Sequence, residues 1–343
     1  MANISLRNPQ YVYKEVPATG VLSQRCEITF NQEVTPEYTI VKNVAPSTTA
    51  YWDISELARD FLDIQYKANF IASYIVINVS IENFAGLNGT GGVVGTATTF
   101  TNTGFESYGT FEQGVNPLQS EPFKIFPTFL ISADTSVTPP TFTIYAPTGA
   151  IGTIPWLLNN GFPASVSYAG NSTGVIISGA GQTTTCQIKR IDCTKYGLGR
   201  KIIFINKYGA QQELWFFLKE TKAISRTNEG YKSNTLVSIA GNNPPAYDIQ
   251  NAPNKVFNTQ AKNNRTLSSG YYPEQANDFF EELLLSEYVW MEIVKDESSP
   301  IQNEIIPVKV KTSSISFKTS LNDKLIEYTI EFEDAFDYIN NIR

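Results

Sequence analysis

The sequence predicts a mainly β protein. It comprises β-sandwich or barrel-like domains with two short helices, an inserted Gly/Thr-rich β domain and a long polar arm. Three observations lead there. Aromatic residues make up 13 % of the 343, led by 21 Phe and 18 Tyr, and such side chains suit the pleated, half-buried surface of a strand. Short apolar runs alternate with polar residues at a period of two. Turn residues punctuate these runs at short intervals. With 42 % hydrophobic and only 17 % charged residues, the chain reads as globular rather than disordered or coiled-coil. It is long enough to bury a core without disulfides or metals.

Residues 1–84 form an N-terminal β domain with one helix. Glu27-Ile28-Thr29-Phe30 and Tyr38-Thr39-Ile40-Val41 alternate as half-buried strands. From Trp52 the period changes. Asp53 suits a helix cap, with Glu56 three residues on to return the bond. Ile54, Leu57, Ala58, Phe61 and Leu62 then share one face. Tyr74 to Ile81 resumes as a strand. Residues 85–188 read as an inserted domain, because charge nearly vanishes: between Asn83 and Ile188 only Glu106, Glu112, Glu121, Lys124 and Asp134 are charged. Short strands such as Phe142-Thr143-Ile144-Tyr145 and Val175-Ile176-Ile177 stand among Gly, Thr, Ser, Asn and Pro.

Residues 189–220 return to the core sheet. Lys201 to Asn206 and Glu213 to Lys219 flank a Tyr208-Gly209 turn, which predicts a hairpin. Both runs are nearly continuously apolar, so both faces are expected to be covered. Residues 221–272, polar and Asn-rich with Gly241-Asn242-Asn243-Pro244-Pro245, show little periodicity. They are expected to be an extended arm or linker ordered against a partner subunit. Residues 273–343 close the chain. Pro273 opens a helix bearing Phe279, Phe280, Leu283 and Leu284; Tyr288 to Ile293 is a strand; Ile326, Tyr328, Ile330 and Phe332 alternate with Glu327, Thr329, Glu331 and Glu333. Lys309 and Lys311 are placed to pair across to those glutamates.

The chemistry is bounded chiefly by what is missing. There is no histidine, which excludes Ser–His–Asp and Cys–His catalysis, histidine metal sites and imidazole switching. Cys26, Cys186 and Cys193 are an odd number without Cys-x-x-Cys spacing. Buried free thiols are the simpler reading, with a Cys186–Cys193 bridge as the alternative. No cofactor or metal site is expected: zinc lacks a fourth ligand, and Glu331, Glu333, Asp334 and Asp337 lack the spacing of a calcium loop. Glu112 and Glu121 are the candidate carboxylates for a glycosidase, against the simpler reading as solvated loop residues. Gly86 to Gly92 lacks the Gly-Lys-Ser/Thr of a phosphate loop. A net charge of −7 with no basic run argues against a sequence-specific nucleic-acid binder, although an acidic surface suits a passage through which DNA must slide. Neither a signal core in Met1–Gln10 nor a stretch of membrane-spanning length is apparent.

Four pieces resemble recurring vocabulary of virion proteins from tailed phages of Bacteroidetes, the crAss-like group and its relatives. They are Trp52 to Leu57 with Arg59 to Leu62; Lys201 to Asn206 running through the Tyr208-Gly209 turn to Leu214-Trp215-Phe216-Phe217; Glu282 to Ser286 with Val289-Trp290; and Leu325 to Phe332. The resemblance spans both ends of the chain and does not reach residues 85–188. It implies a non-enzymatic tail, neck or tail-hub component of a virion, made in the host cytoplasm and assembled as a homo-oligomeric ring around the DNA passage beside other virion proteins. It implies no active-site residues. Interface anchors should then be large aromatics, with Trp215, Phe216, Tyr271 and Tyr272 the candidates; for Trp215, burial in the core is the competing reading. A second function is a glycan-binding adhesin in which Tyr145, Trp156 and Tyr168 of the 85–188 domain stack on sugars; the alternative is that these three rings are core.

Overall fold

The computed structural model describes residues 2–31, 33–113, 142–157, 163–179, 182–192, 199–237, 246–247, 250–294, 303–317 and 325–339. The fold is mainly β, as the sequence predicts. The first unit contains β1 (Ala2–Ser5), β2 (Tyr11–Glu15), β3 (Ser23–Phe30), β4 (Tyr38–Asn43), β5 (Thr49–Asp53), α1 (Ser55–Arg59), β6 (Tyr74–Phe84) and β7 (Thr98–Phe105). Five strands form one sheet in the order β1-β7-β6-β3-β4. Cys26, Ile28 and Phe30 of β3 stand opposite Ile81, Val79 and Ile77 of β6, and all six are buried. The β2–β5 ribbon and α1 cover that face with Val12, Trp52, Ile54 and Ala58.

Two expectations change here. Helix α1 is shorter than the 54–62 periodicity predicts. Asp53 is not its cap; its Oδ1 accepts the Ser55 amide at 3.0 Å, the Ser55 hydroxyl at 2.7 Å and the Gln10 amide at 3.1 Å, pinning the ribbon to the helix. Phe61 lies beyond the helix and stacks on Phe30 at 4.5 Å between ring centroids. The boundary at residue 84 also moves. Strand β7 pairs with β6 antiparallel and with β1 parallel, so the first unit continues through the Gly-rich excursion to Phe105.

The second unit contains β8 (Phe142–Pro147), β9 (Gly152–Leu157), β10 (Pro163–Tyr168), β11 (Gly174–Gly179) and β12 (Gln182–Ile191). They form a three-stranded sheet, β11-β12-β8, and a β10–β9 ribbon. Their buried side chains Ala146, Ile154, Tyr168, Ile177, Cys186 and Ile188 belong to the same apolar cluster as Ile202, Phe204, Leu214 and Phe216 of the third unit. The middle of the chain therefore shares one core with the C-terminal third.

The third unit contains β13 (Arg200–Ile205), β14 (Gln211–Phe216), β15 (Glu220–Lys232), β16 (Leu236–Val237), β17 (Ala246–Tyr247), β18 (Asn254–Ser268), β19 (Tyr272–Pro273), α2 (Asn277–Leu285), β20 (Val289–Val294), β21 (Asn303–Val310), β22 (Leu325–Ile326) and β23 (Thr329–Asp334). Seven strands form the large sheet, β14-β13-β20-β21-β23-β18-β15. The predicted β13–β14 hairpin is present. Gly209 supplies the positive φ of its turn, and Asn206 Oδ1 accepts from the Tyr208 and Ala210 amides, each at 3.0 Å. Both faces are covered, with Ile202 and Phe204 on one side and Ile203 and Ile205 on the other. The hairpin joins the C-terminal strands through β20 rather than the sheet of the first unit. A 3₁₀ turn, Glu274–Ala276, follows Pro273 and leads into α2, which buries Phe279, Phe280 and Leu283. The acidic edge of β23 is paired: Glu331 with Lys311 at 3.1 Å, Glu333 with Lys262 at 3.0 Å.

An ion-pair joint ties the first unit to the third. The Arg59 guanidinium grips both oxygens of Glu106 from Nε, at 3.1 and 3.0 Å, and reaches Glu287 at 2.7 Å. Arg7 meets the same Glu287 at 3.2 Å. Glu106 is only 3 % exposed. Among the described residues no helix is long and apolar enough to cross a membrane.

Candidate functional site: a projecting two-stranded ribbon

The most unusual feature is the segment expected to be an extended arm or linker. It is a hairpin. Strand β15 has 13 residues and β18 has 15, and they pair antiparallel from Glu220↔Leu267 out to Lys232↔Asn254. Only the root is inside the large sheet: β23 accompanies β18 over Asn264 to Ser268 and no further. Beyond it the ribbon runs as two strands, with β16 and β17 pairing near its end. At the usual rise per strand residue, β15 alone is roughly 40 Å long. Every residue of β15 after Glu220 is exposed, so neither face of that strand is covered, whereas β18 is half-buried or buried from Asn258 inward.

The register sorts the side chains. Lys222, Ile224 and Arg226 lie on one face, opposite Arg265, Asn263 and Ala261. A bulge at Glu229/Gly230 leaves Phe257 as the extra residue of β18 and increases local twist. Past it, Tyr231 and Phe257 meet at 6.3 Å between centroids on one face, while Val256, opposite Gly230, is on the other. Ile224, Tyr231, Val256 and Phe257 are all at least half exposed. Five basic residues, Lys222, Arg226, Lys232, Lys255 and Lys262, stand against two acidic ones, Glu229 and Asp248, between residues 221 and 263, in a chain that holds 26 basic and 33 acidic residues. The arm is cationic and the rest is anionic.

The root is rigidly held. Arg265 pairs with Glu220 at 3.1 Å and Asp334 at 3.4 Å, and Arg200 pairs with Glu220 at 2.7 Å. Burial alone would raise the Glu220 carboxyl, but Arg200, Lys222 and Arg265 outweigh it and hold it below its ordinary value. Asn263 donates to Asp334 at 3.1 Å, and the Tyr338 amide donates to the Ala261 carbonyl at 2.7 Å.

Of the aromatic anchors expected at an interface, Phe216 and Tyr272 are corrected by burial within this one chain, and Trp215 takes its core reading. Phe216 is 1 % exposed and packs edge-on to Phe280 and Phe332. Tyr272, also 1 % exposed, donates to the Trp215 carbonyl at 2.6 Å. Trp215 lies in the same core. Their apolar mass is used to join sheet, helix and middle unit. Tyr271 alone of the four is on the surface. The three candidate sugar platforms also point inward: Tyr145 packs on Tyr272 at 5.2 Å, Trp156 lines the shared core, and Tyr168 is buried with its hydroxyl donating to Glu213. Glu112 is exposed, and Glu121 and Cys193 lie outside the described residues. Cys26 and Cys186 are buried free thiols, each pushed up to about 12 by burial.

A cleft of about 490 Å³ lies where Tyr66 and Phe70, the Pro147–Thr153 segment and the large sheet meet. Lys201 of β13 bonds Glu292 of β20 at 2.7 Å and lies 5.4 Å over the Trp215 ring. Burial lowers the Lys201 ammonium, but Glu213 and Glu292 outweigh this and leave it raised. Glu213 is raised by burial, against the pull of Lys201 and the Tyr168 hydroxyl. Gly152 makes the approach: any Cβ there would collide with the Glu213 carboxylate and the Tyr168 ring. Lys201, Glu213 and Glu292 all stand on the large sheet, and the Tyr168 hydroxyl, by donating to Glu213, fastens the middle unit to it. Among the described residues no cluster could hold a metal ion.

A second surface lies outside the residues singled out from sequence. On the β2–β5 ribbon, Tyr13 stands opposite Tyr51 and Tyr11 opposite Asp53. Tyr11, Tyr13, Glu15, Tyr51 and Asp53 are exposed on the outer face while Val12 and Trp52 point to the core. The Tyr13 and Tyr51 rings lie 5.8 Å apart. The signal that marks this face in the sequence is the Tyr11-x-Tyr13 alternation.

Fold and surface together define a class: a multi-sheet β protein with an anchored, cationic ribbon and an aromatic outer face. No family model matches the chain, and no curated protein or solved structure is significantly similar to it.

Proposed function

We propose that the chain is a non-enzymatic structural subunit of a tailed-phage virion: a tail, neck or tail-hub component that assembles with copies of itself into a ring around the DNA passage. The observation that carries this reading is the ribbon. A two-stranded hairpin is marginal on its own in water, and an open strand edge with exposed apolar residues invites pairing with another chain. Here the ribbon's root is locked by buried ion pairs while β15 is exposed along its length and β18 is exposed at Val256 and Phe257. That is the construction of an element whose second support comes from a neighbour. The phage-like pieces add to it: β13, β14, β20 and β23 are strands of the sheet from which the ribbon springs. The net acidity is compatible with a DNA passage that must not retain its cargo.

Native mass spectrometry of the purified full-length chain, followed by electron microscopy of the main species, tests this. The expected result is a closed ring of one stoichiometry with an open centre. A monodisperse monomer at every concentration, with the chain absent from purified phage particles, rejects it.

A further inference from the structure

We infer that the ribbon of one copy docks on the outer face of the β2–β5 ribbon of the next copy. This rests on the reading of the chain as an assembling subunit and adds which surfaces meet. Both faces of the ribbon carry large exposed apolar residues, Ile224 and Val256 on one, Tyr231 and Phe257 on the other. Such a ribbon must contact a partner surface that offers apolar area together with negative charge. The β2–β5 face has both: Tyr11, Tyr13 and Tyr51 form a contiguous aromatic patch, rimmed by Glu15 and Asp53. Tyrosine is enriched at interfaces because it brings area with a polar tip. Its basic neighbours reach to backbone carbonyls: Lys14 donates to those of Ile81 and Thr96, and Lys42 to that of Tyr51. Lys14 is on the inner side of the ribbon with Val12, and Lys42 lies over the inward Trp52 ring, so the charged side chains that alternate onto the outer face are Glu15 and Asp53, and the arm, with five basic residues against two acidic, is their complement. Val34, Phe111 and Ile176 are exposed apolar side chains on separate segments, and such single residues need no partner.

Donor and acceptor are different surfaces on different elements, one rooted in the large sheet and the other in the first unit. The contact is therefore heterologous, and repetition closes a ring or propagates a filament.

The test is complementation between two full-length variants. An acceptor-only chain carries Arg226→Glu, Lys255→Glu and Phe257→Ser. A donor-only chain carries Tyr13→Ser and Tyr51→Ser. Matching near-ultraviolet circular dichroism and unfolding midpoints establish that both fold. Each alone should need at least about tenfold higher concentration to assemble than the parent, and the two mixed should form a one-to-one pair that raised salt dissociates. If the donor-only chain assembles like the parent while the acceptor-only chain does not, the docking face is wrong and the assembly reading survives. If both assemble like the parent, the ribbon is not the contact. If the parent itself never assembles, the assembly reading falls as well.

Discussion

Glu282 sits on the inward side of α2, 5 % exposed, its carboxylate accepting the Lys207 amide at 3.3 Å. Burial pushes its carboxyl up to about 8, with Asp278 and Glu281 adding to the rise and the Lys207 amide and ammonium opposing it. An unfolded glutamate titrates near ~4.3. Between those values the folded chain holds a proton that the unfolded chain has lost. Stability from this group is thus complete below the lower value and declines as pH rises through the upper one. Glu282→Gln should therefore stabilise the protein at pH 8.5, by about 1–3 kcal/mol, and change nothing at pH 4; chemical denaturation at the two pH values reads this out. A contrasting case is Glu106, gripped by Arg59. Arg59→Met leaves that carboxylate buried and unpaired and should cost about 3–5 kcal/mol, whereas adding Glu106→Leu should restore most of the loss. Gly152→Ala drives a Cβ into Glu213 and Tyr168 and should cost about 1–3 kcal/mol, seen as a lowered denaturation midpoint. These sites are only half legible in the sequence. Lys201 and Glu213 stand inside the apolar runs of β13 and β14, but charges embedded in a run look like noise until the register places Lys201 across from Trp215 and Glu213 across from Ile203.

At the scale of elements, regular alternation is readable wherever one face meets the core. Strands β3, β6 and β23 are visible for that reason, and so are the two-faced apolar runs of β13 and β14. Strand β15 is not, because periodicity records burial and β15 buries neither face. The same absence of pattern that suggests an extended arm or linker is what a strand solvated on both sides must look like. Helix α1 illustrates the converse: Phe61 and Leu62 continue the helical spacing yet lie beyond its end, since stacking on Phe30 satisfies Phe61 without another turn. For the ribbon, amide exchange resolved by segment should show fast exchange at 224–232 and 254–260 in dilute monomer, with slow exchange at the root, 264–268, where β23 pairs. Uniform protection of both segments in a monomer would mean the ribbon is stable without a partner.

For the whole molecule, the charge-poor middle is readable as a compositional block but not as a dependent one. Composition marks where a segment begins to differ; it is silent on whose core its side chains complete. Tyr168, Ile177, Cys186 and Ile188 complete the core that holds Phe216, Phe280 and Phe332. An excised middle unit should therefore fail to fold, and Phe280→Ala, fully buried at that junction, should cost about 3–5 kcal/mol and lower a single unfolding transition shared by the middle and C-terminal units. Interface residues are hard to place from sequence for the same reason. Large aromatics suit a partner surface and a core equally well, and Phe216 and Tyr272 pack inside one chain; the proposed contact uses Tyr13, Tyr51, Tyr231 and Phe257 instead.

The most direct measurement is cross-linking mass spectrometry on assembled, full-length protein made from mixed light and heavy isotope-labelled copies. Light–heavy links joining Lys222, Lys232 or Lys255 of one copy to Lys14 or Glu15 of another are the predicted result; particles in which every link from those lysines stays within a single copy would contradict it.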